Sequence, residues 1–477
     1  MEAPANTQRR HDALELMDSP SSTLASQLPV LLAEVVRWLP SPFDVASLDC
    51  TSRLFHLGAP RSAVEEGLRL RAEEAGRAVE AALPAGETSW AQWLLWEERR
   101  LMAACAPPVA SCGAAHSAFV DAGGQLLTCG ADGGWGILGQ GDGVAKSVVP
   151  RAVAGLGGVR IRAVSAGGVH TLACSDEGVA FSFGRGANGE LGHGDEDNQN
   201  SLRVIEALQG VHISAVASGS GHSLALSEAG ALYSIGVCMD GKFKHGDPAA
   251  KYTPQLVAAL HGVRISSVAV GSLHSLALSE AGDVYSFGVG QYGQLGDADQ
   301  DMRDTPQPIA ALQGVRVGAV SAGYEHSLVV STAGRLYSFG CGMCGQLGHG
   351  DDASQFAPRL VKALQGVRVS AVAAGEDHSL ALSEGRVYSF GSGHHGKLGH
   401  GNTAAQLTPR VIEGLQDVRV RSIAAGCTTS LAVATDGEAY GWGRGMSGNG
   451  MLQPVLGLEL TANQLVPRKY RGLRLHA

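Results

Sequence analysis

The sequence has few charged residues, no long apolar run and no excess of positive charge. Asp, Glu, Lys and Arg make up only 17% of its 477 residues, which is low for a globular protein. No apolar run approaches the roughly 20 residues of a membrane-spanning helix, and the N-terminal residues lack the apolar core of a signal peptide. With a formal charge of −9, the chain lacks the basic surface that general nucleic-acid binding requires. We therefore expect neither a membrane nor a nucleic-acid partner.

Cysteine does not follow the pattern of a disulfide-bonded secreted protein. The nine cysteines, an odd number scattered along a long chain, are typical of reduced intracellular thiols. We expect a cytoplasmic or nuclear protein, or one found in both compartments. Glycine is abundant instead, and 66 glycines with 44% apolar residues indicate many tight turns between short strands rather than disorder.

One pattern recurs seven times along the chain. Each copy begins with glycine, two variable residues, histidine and serine or threonine, at intervals of 51 to 54 residues, and the seventh copy, GCTTS, lacks the histidine. Each copy continues as two strand-like runs, a glycine-rich segment and a further strand-like stretch. The pattern predicts a mainly β fold, a seven-bladed β-propeller of four-stranded antiparallel blades. The copies start at Gly113, Gly167, Gly219, Gly271, Gly323, Gly375 and Gly426.

The two ends of the repeat region predict how the ring closes. The last copy stops before a final strand of the type VxAVxAG, and residues 107–113, PPVASCG, resemble that missing piece. We predict that this N-terminal segment pairs into the seventh blade, because closure removes the open sheet edges that promote aggregation.

The copies resemble the repeats of the regulator of chromosome condensation (RCC1-type) family, over roughly residues 105–477. The resemblance implies the propeller fold but leaves the function open, because the family includes exchange factors, photoreceptors and ubiquitin-ligase subunits. In the photoreceptors a tryptophan follows the glycine of the copy, and its absence here argues against light sensing. The corresponding residues are Ala114, Gly168, Ser220, Ser272, Tyr324, Glu376 and Cys427.

The histidine of each copy stands beside a serine or threonine, as in His378–Ser379, and such a pair is typical of nucleophilic catalysis. A catalytic site is normally built once, however, whereas this histidine recurs in six copies. We therefore interpret these histidines as structural, each bonded through its ring nitrogens to the neighbouring backbone, and we predict no catalytic, cofactor or metal site. The six are His116, His170, His222, His274, His326 and His378.

Two further patterns are interpreted as incidental. A second histidine set lies in the glycine-rich segments, where metal ligands would have to converge on one ion, and copies on different blades do not converge. Cys341 and Cys344 form a lone CxxC with no second pair, so we expect ordinary thiols. The second histidine set consists of His193, His245, His349 and His400.

The first hundred residues differ in composition and predict helices. Residues 28–55 place apolar residues at helical spacing, and Pro40 and Pro42 end the first helix. This string resembles an F-box, the helical motif that docks onto the Skp-type adaptor of cullin ubiquitin ligases, although Leu31 stands where an acidic residue is common. A helical cap on the propeller is the alternative. The resemblance implies adaptor binding by Leu28, Pro29, Leu32, Val35, Leu39, Val45 and Leu48.

The sequence thus predicts four parts. Residues 1–23 form a flexible N-terminal tail, and residues 24–60 form the F-box-like helical motif. A helical linker at residues 61–104 packs on the propeller through its aromatic stripe. The propeller occupies residues 105–477.

Partner binding should use the residues that vary between copies, because the recurring residues hold the scaffold. Tyr324, Glu325, Glu376 and Asp377 cluster on the adjacent fifth and sixth copies, where an acidic patch with one aromatic ring suits a basic segment. A solvated acidic rim is the alternative. A second variable set in the glycine-rich segments is predicted to form another surface: Trp135, Asn188, Met239, Asp240, Tyr292, Met343, His394, His395 and Met446.

We expect a non-catalytic interaction protein, the substrate-recognition subunit of a cullin-type ubiquitin ligase. The F-box-like motif would bind the Skp-type adaptor, and the propeller would bind an unknown substrate protein, for which a basic segment is one candidate. Partner subunits would carry out ubiquitin transfer, without a cofactor in this chain. The alternatives are a guanine nucleotide exchange factor for a Ran-like small GTPase and a plain propeller scaffold.

Overall fold

The computed structural model describes residues 109–236, 252–444, 456, 458 and 462–475. These residues form seven four-stranded antiparallel sheets with the strands β1–β28, which confirms the predicted seven-bladed propeller. The tail, the F-box-like motif and the helical linker lie outside the described residues, as do His245, Met239, Asp240 and Met446. Among the described residues, no helix is long and apolar enough to cross a membrane.

The strands follow the chain in order, four to a blade. The first three blades contain β1 (Ala110–Cys112), β2 (His116–Val120), β3 (Leu126–Ala131), β4 (Lys146–Ala152), β5 (Ile161–Ala166), β6 (His170–Ser175), β7 (Ala180–Gly184), β8 (Gln199–Val204), β9 (Ile213–Ser218), β10 (His222–Ser227), β11 (Leu232–Gly236) and β12 (Gln255–Leu256). The fourth and fifth contain β13 (Ile265–Val270), β14 (His274–Ser279), β15 (Val284–Gly288), β16 (Arg303–Pro308), β17 (Val317–Ala322), β18 (His326–Ser331), β19 (Leu336–Gly340) and β20 (Gln355–Leu360). The last two contain β21 (Ala371–Ala374), β22 (His378–Ser383), β23 (Arg386–Gly391), β24 (Gln406–Val411), β25 (Val420–Ala425), β26 (Thr429–Ala434), β27 (Glu438–Gly443) and β28 (Gln464–Arg474).

The core lies between neighbouring blades, and the second strand of each blade shows why. β22 is buried along its whole length because a blade covers each of its faces. Ala381 packs toward the fifth blade, in a cluster with Leu328, whereas Leu380 and Leu382 pack toward the seventh blade with Trp442. Small and large residues alternate along the strand, so each blade presents a shallow face to one neighbour and a bulky face to the other.

The predicted pairing of the N-terminal segment with the seventh blade is wrong. Residues Ala110–Cys112 form β1, which pairs with β2 as the innermost strand of the first blade. The seventh blade is complete without it, because Val420–Ala425 supplies its innermost strand. Each blade therefore begins one strand before its histidine, and every blade is built from consecutive residues.

The ring closes at the C-terminal end of the chain instead. Leu475 forms a bridge with Asp121 in the first blade, and the Ala122 N–H donates to the Arg474 carbonyl at 3.0 Å. At the centre, each innermost strand contacts the next one, and β25 of the last blade contacts β1 of the first. These contacts join the first and last blades without exchanging a strand.

Candidate protein-interaction face

The glycine of each copy brings neighbouring blades together at one end of the central channel. The Gly375 N–H donates to the His378 carbonyl at 2.9 Å, which closes the turn between the first and second strands. The next N–H, that of Glu376, donates to the Gly426 carbonyl of the following blade at 3.2 Å. A Cβ on Gly375 would stand 2.5 Å from the Gly426 oxygen, so any other residue would separate the two blades. The same hydrogen bond recurs at six of the seven turns, and the close approach of the glycine to the next blade recurs at all seven, so the variable residues lie on a ring.

The six recurring histidines are buried links between blades. The Ser379 hydroxyl donates its hydrogen to the Gln346 carbonyl at 2.7 Å, so it accepts from His326 Nε2, which lies 2.9 Å away. The partner is therefore a hydroxyl of the next blade and not the backbone that we expected. The His–hydroxyl distances of 2.7 to 3.0 Å belong to the pairs His116–Thr171, His170–Ser223, His222–Ser275, His274–Ser327, His326–Ser379 and His378–Ser430.

His378 and Ser379 do not form a nucleophile–base pair. His378 Nε2 lies 2.8 Å from Ser430 in the seventh blade, whereas Ser379 is bonded to the fifth blade. Both residues are fully buried. Burial lowers the pKa of His326 to about 4 and that of His378 well below its ordinary value, so these rings are neutral at physiological pH.

The histidines in the glycine-rich segments have an equally local partner. His349 Nε2 lies 3.0 Å from Ser338 Oγ of its own blade, and His193 and His400 make the same contact with Ser182 and Ser389 at 2.9 Å. In the part of the chain that the structure describes, no three His, Cys, Asp or Glu side chains are grouped as metal ligands.

The two predicted variable sets lie at the same end of the propeller. In a four-stranded antiparallel blade, the turn between strands one and two and the loop between strands three and four share one edge. Hydrogen bonds join them, because the Cys341 N–H donates to the Glu325 carbonyl at 2.8 Å and the Ser392 N–H donates to the Asp377 carbonyl at 2.9 Å. The prediction of two separate surfaces is therefore wrong, and both sets contribute to one face.

Tyr324, Glu325, Met343 and Glu376 form what we call the acidic face, on the fifth and sixth blades. The side chains of Tyr324 and Met343 are 43% and 62% exposed, and Glu376 is also exposed. Burial, together with the charge of Glu376, raises the pKa of Glu325. Burial and the charge of Asp377 raise the pKa of Glu376. These couplings show that the acidic side chains are close enough to repel one another.

Asp377 has a different role from the one predicted for it. Its carboxylate forms an ion pair with Lys397, whose side chain is only 3% exposed, and Lys397 Nζ also lies 3.4 Å from the Cys427 carbonyl. Asp377 thus holds a buried lysine at the boundary of the sixth and seventh blades, and two carboxylates of the predicted three remain for a partner.

Lys397 was not among the predicted site residues, although the repeat contains a signal for it. Glu190, Gln294 and Gln346 occupy the same loop position in other blades, and each accepts a hydrogen bond from its own loop backbone at 2.6 to 2.9 Å. A lysine has no acceptor and cannot make that bond. Its ammonium group instead pairs with Asp377, and comparison of the copies could have indicated the unusual residue at position 397 but not its partner.

The fold and the repeated interblade links define a class of protein: a seven-bladed propeller whose scaffold residues recur and whose face residues vary. The RCC1-like domain profile matches residues 201–469, and the regulator of chromosome condensation (RCC1) repeat profile matches residues 123–174. The chain belongs to the RCC1-like domain family.

Named relatives of this chain differ in function. The ultraviolet-B receptor UVR8 of Arabidopsis thaliana is 37% identical over 60% of this chain and 65% of its own length. The human E3 ubiquitin-protein ligase HERC2 is 37% identical over 70% of this chain. The chain spans 65% of the plant receptor and 7% of the human ligase.

Solved structures also match the propeller. That of Prp20p from Saccharomyces cerevisiae, studied for its binding to Gsp1p and histones, has a TM-score of 0.65 and 25% identity over 78% of this chain and 89% of its own. Together, these similarities support a propeller that serves protein–protein interaction.

Proposed function

We propose that this chain is the substrate-recognition subunit of a cullin-type ubiquitin ligase. The propeller would capture the substrate protein, the F-box-like motif would bind the Skp-type adaptor, and partner subunits would transfer ubiquitin. Tethering raises the effective concentration of the substrate at the charged ubiquitin carrier, so the chain needs no catalytic residue of its own. The observation that carries the proposal is the acidic face, where two exposed apolar side chains stand beside two carboxylates.

The charges of the acidic face favour a basic segment of the substrate. Burial and the charge of Glu376 raise the pKa of Glu325 in the free protein, and a lysine or arginine beside the two carboxylates would relieve that repulsion. The exposed ring of Tyr324 can add a cation–π contact, and Met343 offers a flexible apolar surface. Asp377 takes no part because Lys397 already neutralises it.

Charge reversal on the acidic face tests the substrate contact. The probe is a fluorescent peptide of alternating lysine and alanine, titrated into the full-length chain and followed by fluorescence anisotropy. We expect Glu325→Lys/Glu376→Lys to weaken binding by about tenfold or more, because it replaces two attractions by two repulsions. The matched control is Glu206→Lys/Glu413→Lys, at exposed positions in the links between blades. Equal loss in both variants would assign the binding to net charge and remove the proposed face.

The adaptor contact has a separate test. We expect the full-length chain to capture a Skp-type adaptor in a pull-down, and Leu32→Asp/Leu39→Asp to abolish capture because charge replaces apolar docking residues. Leu256→Asp/Leu407→Asp is the matched control, at leucines of the propeller that are 50% and 40% exposed. An adaptor that fails to bind the wild-type chain would remove the ligase proposal while leaving the acidic face untouched.

Nucleotide exchange on a Ran-like small GTPase is the second candidate function. The similarity to Prp20p, which covers most of both chains, favours it. Accelerated nucleotide release from such a GTPase by the full-length chain would support exchange activity, and release at the uncatalysed rate would exclude it.

A further inference from the structure

The outermost strand of the seventh blade, β28, carries a basic run in an otherwise acidic chain. Arg468, Lys469, Arg471 and Arg474 all lie within β28 and are all exposed. The formal charge of the whole chain is −9, so β28 is a positively charged segment of a negatively charged protein.

Three arginines at the position of Arg468 on other blades are paired with an acidic side chain, whereas a fourth, Arg151 of the first blade, has no ion-pair partner among the described residues. Arg203 and Arg359 occupy the same register on the second and fifth blades. Each lies 3.4 Å from an aspartate of its own blade, Asp195 and Asp351 respectively. Their charges are therefore balanced within the blade.

On β28 only part of the charge is balanced. Lys469 lies 3.1 Å from Glu438, and Arg474 lies 3.7 Å from the same carboxylate. Arg468 and Arg471 have no ion-pair partner among the residues that the structure describes. Two guanidinium groups are thus left to interact with a partner.

The free guanidinium groups adjoin an apolar wall between two blades. Cavities of about 510 and 540 Å³ lie along β28, and both are lined by Arg468 and Arg471. Leu127, Val149 and Pro150 of the first blade line the opposite side of the 510 Å³ cavity. We call this cavity, with Arg468 and Arg471, the β28 groove.

β28 is also the longest outermost strand of the seven described blades. It has 11 residues, whereas the outermost strands of the other six blades have two to seven. Within its sheet it pairs with β27, and near its two ends the Leu465 carbonyl accepts from the Gly401 N–H at 2.8 Å and the Arg474 carbonyl from the Ala122 N–H at 3.0 Å; the edge in question is the stretch between these two bonds. An extended segment can pair with such an edge through its backbone.

We propose that the β28 groove binds an extended acidic segment of a partner protein, in which acidic and apolar residues alternate. The carboxylates pair with Arg468 and Arg471, whose planar groups can each hold a carboxylate through two hydrogen bonds. The alternate apolar side chains contact Val149 and Pro150. This ligand has the opposite charge to the one proposed for the acidic face, so the inference is independent of the proposed function. A nucleic acid fits less well, because the chain as a whole repels phosphates.

The experiment uses the full-length chain and a fluorescent peptide of alternating glutamate and valine, equal in length to β28. We expect saturable binding by fluorescence anisotropy, weakened about tenfold or more by Arg468→Glu/Arg471→Glu. The matched control, Arg203→Glu/Arg359→Glu, makes the same change of net charge at arginines that are already paired. It should change affinity by no more than about twofold. A photo-crosslinker on the peptide should label β28 or the segment containing Val149.

Three results would overturn the proposal. They are absence of saturable binding to the wild-type chain, an equal loss in both double variants, and tighter binding of a single-stranded oligonucleotide of the same charge. Charged residues on an edge strand also prevent aggregation. A variant that aggregates without any change in peptide affinity would assign the arginines to that role alone. Thermal unfolding of each variant separates loss of binding from loss of fold.

Discussion

At the residue scale, His378 and Ser379 show that neighbours in sequence can serve different interfaces. His378 is bonded to the seventh blade and Ser379 to the fifth, so one dipeptide links its blade to both neighbours. A buried imidazole that makes one hydrogen bond and fills space between two blades contributes mainly to stability.

We predict that His378→Ala lowers the free energy of unfolding by about 2–4 kcal/mol. The change removes buried volume and the hydrogen bond to the Ser430 hydroxyl, which keeps only its bond to the Lys397 carbonyl. Urea unfolding followed by tryptophan fluorescence measures the effect. His394→Ala, at an exposed position in the same blade, should cost less than about 0.5 kcal/mol, and equal effects of the two changes would contradict the structural role of His378.

At the element scale, the joint between the first and last blades differs from the other six. Thr429 stands where the other blades have histidine, so the repeated histidine link is missing there. Tyr470 of β28 compensates in part, because its ring packs edge-on against Phe119 of the first blade at 5.3 Å and its hydroxyl donates to the Leu456 carbonyl at 2.5 Å. Leu473 and Leu475 belong to the same buried cluster.

We predict that Leu475→Asp destabilises this joint. A carboxylate in place of a side chain that is 1% exposed would be buried without a partner, which costs several kcal/mol or opens the joint. Val466→Asp is the control, because Val466 lies in β28 with 49% of its side chain exposed. Limited proteolysis and thermal unfolding provide the measurement. A thermal midpoint that is equally changed by both substitutions would show that the C-terminal end does not close the ring.

At the scale of the whole molecule, six buried neutral histidines make the propeller sensitive to acid. Burial lowers the pKa of His116, His222 and His326 to about 4, and that of His170 and His274 to about 3. Unfolded histidine titrates near 6.5, so the unfolded chain binds protons first as the pH falls.

We predict that stability is complete above about pH 6.5 and is lost as the pH falls toward about 4. Each such histidine contributes roughly 1.4 kcal/mol per pH unit within that window. His193 and His349, with pKa values lowered to about 4, act in the same direction. Glu325 and Glu376 act in the opposite direction. Their pKa values are raised in the folded protein, so it binds these protons before the unfolded chain does as the pH falls. Urea midpoints at pH 7.5, 6 and 5 measure the slope, and a flat profile would contradict the prediction.

The period in the sequence was sufficient to predict the number of blades, but not where each blade begins. A repeat has no marked start. A segment such as residues 420–426, VRSIAAG, could therefore be assigned to the end of one unit or to the beginning of the next. The pairing of β1 with β2 decides this. The error in ring closure came from that ambiguity, because an incorrect phase leaves one strand missing at one end and one in excess at the other.

The acidic face could be predicted only in part for a similar reason. Variation between copies indicated Tyr324 and Glu376 correctly as exposed residues. It could not show that Lys397 neutralises Asp377, because the contact joins two loops that only the folded blade brings together. The β28 groove was not predicted either. Whether an arginine has an ion-pair partner depends on which carboxylates the fold places near it, and the sequence does not show this.

The assembly of each blade from consecutive residues has a consequence for protein synthesis. A propeller that exchanges a strand between its ends must leave one blade incomplete until translation finishes. In this chain each blade has all four strands as soon as its own segment has left the ribosome, so the blades can form in order from the N-terminus. The joint between Asp121 and Leu475 is then the last contact between neighbouring blades to form, and it turns an open arc of blades into a ring.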